Sequence, residues 1–175
     1  MAELLIGCGR SRAKVLSLNG VEWKELVTLD SDPSCKPDVV HDLEVMPYPF
    51  EDERFDECHA YDVLEHMGRQ GDWQFFFGQW AEFHRILKPE GLFLGIVPYQ
   101  TSPWAWGDPS HTRIVTIEQL GFLSQKFYEQ VGNTAASDFR HCWRGHFELV
   151  FQQRMAEPSN GDIRQAFVLK KMAHG

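Results

Sequence analysis

The chain has 175 residues, 43% hydrophobic and 13% aromatic, which suits one folded domain with a sizeable core and excludes a disordered polymer. Its formal net charge of −8 repels phosphate backbones and argues against a nucleic-acid surface. It has neither a run of about 18 apolar residues nor a basic leader before an apolar stretch, so a soluble, cytoplasmic protein without membrane insertion is expected.

A short apolar strand at residues 3–6 runs into the turn Gly7-Cys8-Gly9, and a second strand at 25–29 ends on Asp30. Glycines let a backbone approach a ligand closely, and an acid ending the next strand accepts hydrogen bonds from ribose hydroxyls. Further strands are read at 38–41, 55–62 and 92–97, the last almost wholly apolar, as in a parallel sheet buried on both faces. Asp72 is a helix N-cap, and Trp73, Phe76, Phe77, Trp80, Phe83 and Leu87 recur on one helical face. Lys88-Pro89-Glu90-Gly91 should stop that helix and turn the chain into the next strand. A second helix should start near Thr116, with Gln119 at capping-box spacing, and carry Ile117, Leu120, Leu123, Phe127 and Val131 inward. Two late strands, at 147–153 and 164–170, close the chain.

The crossovers from Gly9 to Glu25 and from Asp30 to Asp38 are too short for full helices. Helices should therefore be reduced on one flank, leaving sheet surface covered by loops or by a second copy in a homodimer. Cys8, Cys35, Cys58 and Cys142 form no C-x-x-C pair, which implies reduced thiols rather than a zinc knuckle or disulfide framework. The eight histidines include no pair three or four residues apart, so no metal is expected.

The turn departs from the dinucleotide pattern because Arg12 stands where a third glycine would pack helix on strand. Two glycines suffice for a phosphate-free adenosyl ligand. Ile6-Gly7-Cys8-Gly9 resembles motif I of the class I S-adenosylmethionine-dependent methyltransferases, of the small type 11-like kind. The run from Asp42 to Phe50, the segment Tyr61-Asp62-Val63-Leu64-Glu65-His66 and the run from Phe83 to Gly91 are similar to later motifs of that family, in the same order. The resemblance implies one α/β domain over residues 1–175, with a doubly wound, mostly parallel Rossmann-like sheet and a C-terminal antiparallel hairpin.

The resemblance also implies S-adenosyl-L-methionine as cofactor. Gly7, Cys8 and Gly9 would line its methionine part through backbone atoms, Asp30 would bind the ribose, and Asp42 and Leu43 would meet the adenine. Tyr61 would flank the methionine, and His66 would stand beside the cofactor. Competing structural roles are a turn cap for Asp30, an Asx turn for Asp42, core packing for Tyr61 and a helix-start bond for His66. The family's acid two residues before the first glycine is Leu5 here, which leaves the ammonium to backbone groups, and the absence of preceding lid helices implies an open site.

The aromatic, polar stretch 98–113 follows a central strand, where open α/β sheets bind ligands. Tyr99, Trp104 and Trp106 are the substrate-binding candidates. His111 and Asp108 are the candidates for taking a proton from the acceptor, or alternatively for ordering the loop. The expected activity is methyl transfer to a small-molecule or biosynthetic-intermediate acceptor. The alternatives are a non-catalytic cofactor-binding partner or sensor, and a protein or nucleic-acid methyltransferase. The turn after the fourth strand lacks the Asn/Asp-Pro-Pro-aromatic tetrad of amino-methylating nucleic-acid enzymes.

Overall fold

Seven strands form one sheet in the order β3-β2-β1-β4-β5-β7-β6. The computed structural model describes residues 1–18, 20–157 and 160–173. The strands are β1 (Ala2–Ile6), β2 (Glu25–Asp30), β3 (Val39–Val40), β4 (Phe55–Tyr61), β5 (Leu87–Pro98), β6 (Phe147–Glu157) and β7 (Asp162–Lys171). The first five run parallel, and β7 pairs antiparallel with both β5 and β6. This is the doubly wound sheet with an antiparallel end hairpin that the strand spacing and the family resemblance imply. Ile6 pairs with both Leu29 and Ala60, so Gly7, Asp30 and Tyr61 stand level at the carboxyl edge.

The helix α1 (Trp73–Ile86) forms where the aromatic spacing places it, with Asp72 accepting from the Phe75 N–H at 3.0 Å. Trp80 and Phe83 pack on Phe93 of β5 at ring separations of 4.8 and 4.7 Å. These rings close one face of the sheet. Leu87, read as the helix's last apolar residue, instead opens β5 opposite Phe55. Lys88-Pro89-Glu90-Gly91 ends α1 but lies within the irregular start of that strand, with Glu90 at a φ of 68°.

The helix α2 (Pro103–Gly107) was not foreseen, and α3 (Ile117–Gly121) is much shorter than the apolar spacing predicts. The Thr116–Gln119 capping box is present. Beyond it, the Leu123 carbonyl accepts from Phe147 N and Trp143 Nε1, both at 3.0 Å. A carbonyl engaged by two tertiary donors is poorly placed to continue a helix ladder, so Phe127 donates to Ser124 and the chain continues as a tight 3-10 turn.

Among the described residues, no helix lies between β1 and β2, and only the turn Pro33–Cys35 lies between β2 and β3. Residues 12–18 and 20–23 instead lie over the second face. Lys14 Nζ sits 3.1 Å from Glu3 and 3.3 Å from Glu57, and His59 Nε2 lies 3.0 Å from the same Glu57 carboxylate. Trp23 meets His59 edge-on, and the Leu16 N–H donates to the Tyr61 hydroxyl at 3.2 Å. The expected loop covering is therefore a buried ladder of charges beneath a strap of backbone.

Asp38 fastens β3 to the sheet by accepting from both the N–H and the hydroxyl of Thr28, at 2.8 and 2.7 Å. These bonds hold its carboxyl below the ordinary value. The stability they add is therefore present above the unfolded-state pKa and lost as pH falls through the folded one. Asp38→Asn is expected to cost about 0.5–1 kcal/mol at pH 7, since the site is exposed. Its urea midpoint should approach that of the wild type as pH falls through the folded-state pKa.

Candidate functional site

The turn after β1 owes its shape to two glycines. Gly7 and Gly9 hold φ of +57° and +51°, and a Cβ on Gly7 would stand 2.4 Å from Val63 Cγ2. No L-residue with a side chain fits at Gly7 without moving the turn after β4. The Gly9 N–H donates to Asp30 Oδ2 at 2.8 Å, and the Asp32 N–H donates to Asp30 Oδ1 at 2.9 Å. Arg12, in the place of a third glycine, donates to Gly9 O at 2.8 Å and to Cys35 O at 2.9 Å. Its guanidinium satisfies carbonyls of the helix-poor crossover and ties the first turn to the second.

A cavity of about 570 Å³ lies across the carboxyl ends of the first four strands. Gly7, Asp30, Asp42, Leu43, Asp62 and His66 line it. This is where strand order reverses between β1 and β4, the crevice in which open α/β sheets take ligands. Asp42 Oδ1 accepts from the Glu44 N–H at 2.9 Å, and Glu44 Oε1 accepts from the Gly68 N–H at 2.7 Å. The floor is thus stitched from β3 across to the turn after β4. Its contents suit an adenosyl group: a carboxylate at one end, an apolar leucine in the floor and a bare glycine turn.

A second cavity of about 320 Å³ adjoins the first, and Asp62 and His66 line both. Its other walls include Glu65, Trp104, Asp108, His111 and Arg164. Glu65 is buried in a 3-10 turn and, among the described residues, its two oxygens are the buried side-chain polar atoms without a hydrogen-bond partner. Burial pushes its carboxyl up to about 8. His111 Nε2 lies 4.0 Å from Glu65 and 3.9 Å from Asp108, and its ring meets that of His66 edge-on at 4.7 Å. Burial also raises the Asp62 carboxyl, against the opposing pull of Arg164 at 3.0 Å. Arg113, 7% exposed, donates to Leu64 O at 2.8 Å and fixes the turn that carries Glu65 and His66.

The family profile described as a methyltransferase domain matches residues 4–95. The chain belongs to this methyltransferase family. No curated protein sequence matches significantly. Solved structures share its fold at low identity. A SAM-dependent methyltransferase from Archaeoglobus fulgidus is 20% identical, with TM-score 0.58 over 97% of this chain and 86% of that one. Burkholderia thailandensis 1,6-didemethyltoxoflavin-N1-methyltransferase, bound to 1,6-didemethyltoxoflavin and S-adenosylhomocysteine, is 18% identical, with TM-score 0.58 over 98% and 71%. A putative methyltransferase complexed with the Trm112 activator of Haloferax volcanii is 15% identical, with TM-score 0.60 over 99% and 83%.

This methyltransferase departs from its sequence reading at several side chains. Tyr61 does not line the adenosyl-sized cavity. Alternation along β4 sends Ala60 to the helix-covered face and Tyr61 to the other, where its hydroxyl meets His59 Nδ1 at 2.7 Å. Cys8 keeps its thiol buried and directed at Gly9 O, and its N–H donates to Leu29 O at 3.3 Å. Tyr99 extends the pairing with β7 through its N–H, and its ring lies under Arg154 at 4.2 Å, beside a different cavity. Trp106 is 72% exposed and lines neither cavity, which leaves Trp104 as the tryptophan of the smaller one. Asp108 accepts from the N–H and hydroxyl of Ser110, so it also orders its loop. Glu44, Glu65, Arg113 and Arg164 escaped the sequence reading. The juxtaposition of Asp62, Glu65 and His66 on one tight turn was a usable signal for Glu65, whereas Arg164 enters only through the register of β7.

Proposed function

We propose that this protein transfers a methyl group from S-adenosyl-L-methionine to a small-molecule acceptor, and that residues 1–175 act as one catalytic domain. The observation that carries this reading is that two cavities meet at Asp62 and His66. The larger suits the cofactor: Gly7, Cys8 and Gly9 would face its amino acid end through backbone atoms. Asp30 would accept from the ribose hydroxyls, and Asp42 and Leu43 would meet the adenine. Bound there, the cofactor supplies an electrophilic methyl group with a good leaving group already attached.

The protein's main contribution is alignment, which supplies most of the rate in such a transfer. The smaller cavity falls in the range of small-molecule sites and shares the Asp62–His66 wall with the first, so an acceptor placed in it would lie beside that wall. A small acceptor is also what the Burkholderia neighbour holds. Trp104 lines this cavity and would meet the acceptor. With no other ligand present, His111 Nε2 is the group positioned to take its proton, with the carboxylates of Glu65 and Asp108 on either side.

The free thiols of Cys8, Cys35, Cys58 and Cys142 suit a reducing cytoplasm. Among the described residues, no helix is long and apolar enough to cross a membrane. A second copy would pack on the exposed Val15, Leu18 and Val21 of the strap over the second sheet face.

Transfer of a labelled methyl group into fractionated small metabolites tests the activity. His111→Ala is expected to leave calorimetric cofactor affinity within twofold and to lower turnover about tenfold to a hundredfold, Glu65 remaining beside the acceptor. Full turnover in that variant would remove His111 from the chemistry.

A further inference from the structure

We propose that Glu65, His66 and His111 form a binding site for one divalent first-row transition-metal cation. Their ligand atoms all lie within 4.8 Å of one another. Glu65 is 2% exposed, and neither of its oxygens has a hydrogen-bond partner. A buried carboxyl whose oxygens have no hydrogen-bond partner is costly, and a cation bound to them would complete it. His111 Nε2, at 4.0 Å, is too distant to hydrogen-bond to it, but the gap suits an atom held between them.

The imidazoles carry the orienting contacts that metal-binding histidines use. His111 Nδ1 lies 3.4 Å from Ala105 O, and His66 Nδ1 lies 3.3 Å from Ser110 O. His66 Nδ1 also lies 3.2 Å from Ser110 Oγ, whose own proton goes to Asp108 Oδ1 at 2.6 Å. Acceptors at Nδ1 favour the tautomer protonated there, which leaves the second nitrogen its lone pair.

The surroundings favour a cation. Asp62, Glu65, Asp108 and Asp162 line the cavity, with Arg164 as its guanidinium. Two imidazole nitrogens and a carboxylate suit manganese, iron, cobalt or zinc better than magnesium or calcium, which prefer oxygen donors throughout. Three protein ligands leave positions open towards the cavity. What the ion does there rests on the methyl-transfer reading: an acceptor hydroxyl or amine bound to it ionises more easily. His111 then serves as a ligand rather than as the proton acceptor.

The test is cobalt chloride titrated into the full chain, with no cofactor or acceptor present. One saturable equivalent is expected, with visible d–d absorption and paramagnetic shifts of the His66 and His111 ring resonances. The isosteric Glu65→Gln and the exposed-site His66→Ala should each weaken binding at least about tenfold. No saturable binding, or binding undiminished in both variants, overturns the site. Asp30→Ala should take up cobalt like the wild type, so loss of the cofactor reading and loss of the metal site are read separately.

Discussion

Lys14→Met is expected to destabilise the protein by about 3–5 kcal/mol, the usual cost of removing one partner from a buried ion pair. The side chains of Lys14, Glu3 and Glu57 are each at most 2% exposed, and the ammonium lies 3.1 and 3.3 Å from the two carboxylates. Without it, both carboxylates remain in a site closed by Trp23, whose ring the ammonium also approaches to 5.1 Å. His59 gives little relief, because burial lowers its pKa and favours the neutral ring. As a neutral ring, it donates from Nε2 to Glu57 and accepts from Tyr61 at Nδ1. The measurement is urea unfolding at pH 7, where Lys14→Met should show a lower midpoint with an unchanged slope. Replacing Lys14, Glu3 and Glu57 together with apolar residues of similar size should recover much of the loss, because no uncompensated charge then remains. A single-variant loss under about 1 kcal/mol would mean that water reaches the ladder, since exposed pairs contribute no more than that.

That ladder also shows where the sequence stops being legible. The strand–glycine–strand–acid order and the aromatic stripe of α1 could be read directly, because each is a local pattern repeated at the period of its element. Local patterns also placed the short crossovers, since chain length alone forbids a helix between Asp30 and Asp38. They could not show what replaces the missing helices. Glu3, Lys14 and Glu57 look like ordinary surface charges in one dimension, and only the pairing of β1 with β4 makes them neighbours. Tyr61 shows a related limit: a strand end names the level of a residue but not its face, and a one-residue shift reverses it.

The smaller cavity was legible in part. The aromatic stretch after β5 reaches the cavity through Trp104 and His111, while Tyr99 and Trp106 turn elsewhere. Histidine spacing along the chain is a poor guide to ligand sets built from two segments. His66 and His111 are far apart in sequence yet have ring centroids 4.7 Å apart. Arg113 joins the two segments, holding Leu64 at 2.8 Å and reaching Gln79 of α1 at 2.5 Å.

Asp30→Ala is expected to lower affinity for S-adenosylmethionine and for its demethylated product several-hundred-fold, or about 3–4 kcal/mol. Two losses combine. The first is direct: a carboxylate that accepts from ribose hydroxyls makes charge-assisted bonds, each worth about 1.5–3 kcal/mol. The second is indirect, because the same carboxylate holds Gly9 N at 2.8 Å and Asp32 N at 2.9 Å. Alanine leaves both N–H groups to solvent and releases the glycine turn from β2. Asp30→Asn separates the two effects. Its carbonyl oxygen can still accept from Gly9, but its amide places a donor against the Asp32 N–H, so affinity should fall between the wild type and alanine. Calorimetry with both ligands measures the losses, and circular dichroism checks that the sheet survives, since Asp30 ends its strand at the carboxyl edge. Binding within threefold of the wild type in a folded Asp30→Ala protein would move the ribose away from β2. The cavity shared by Gly7, Asp42 and Leu43 would then need a different occupant.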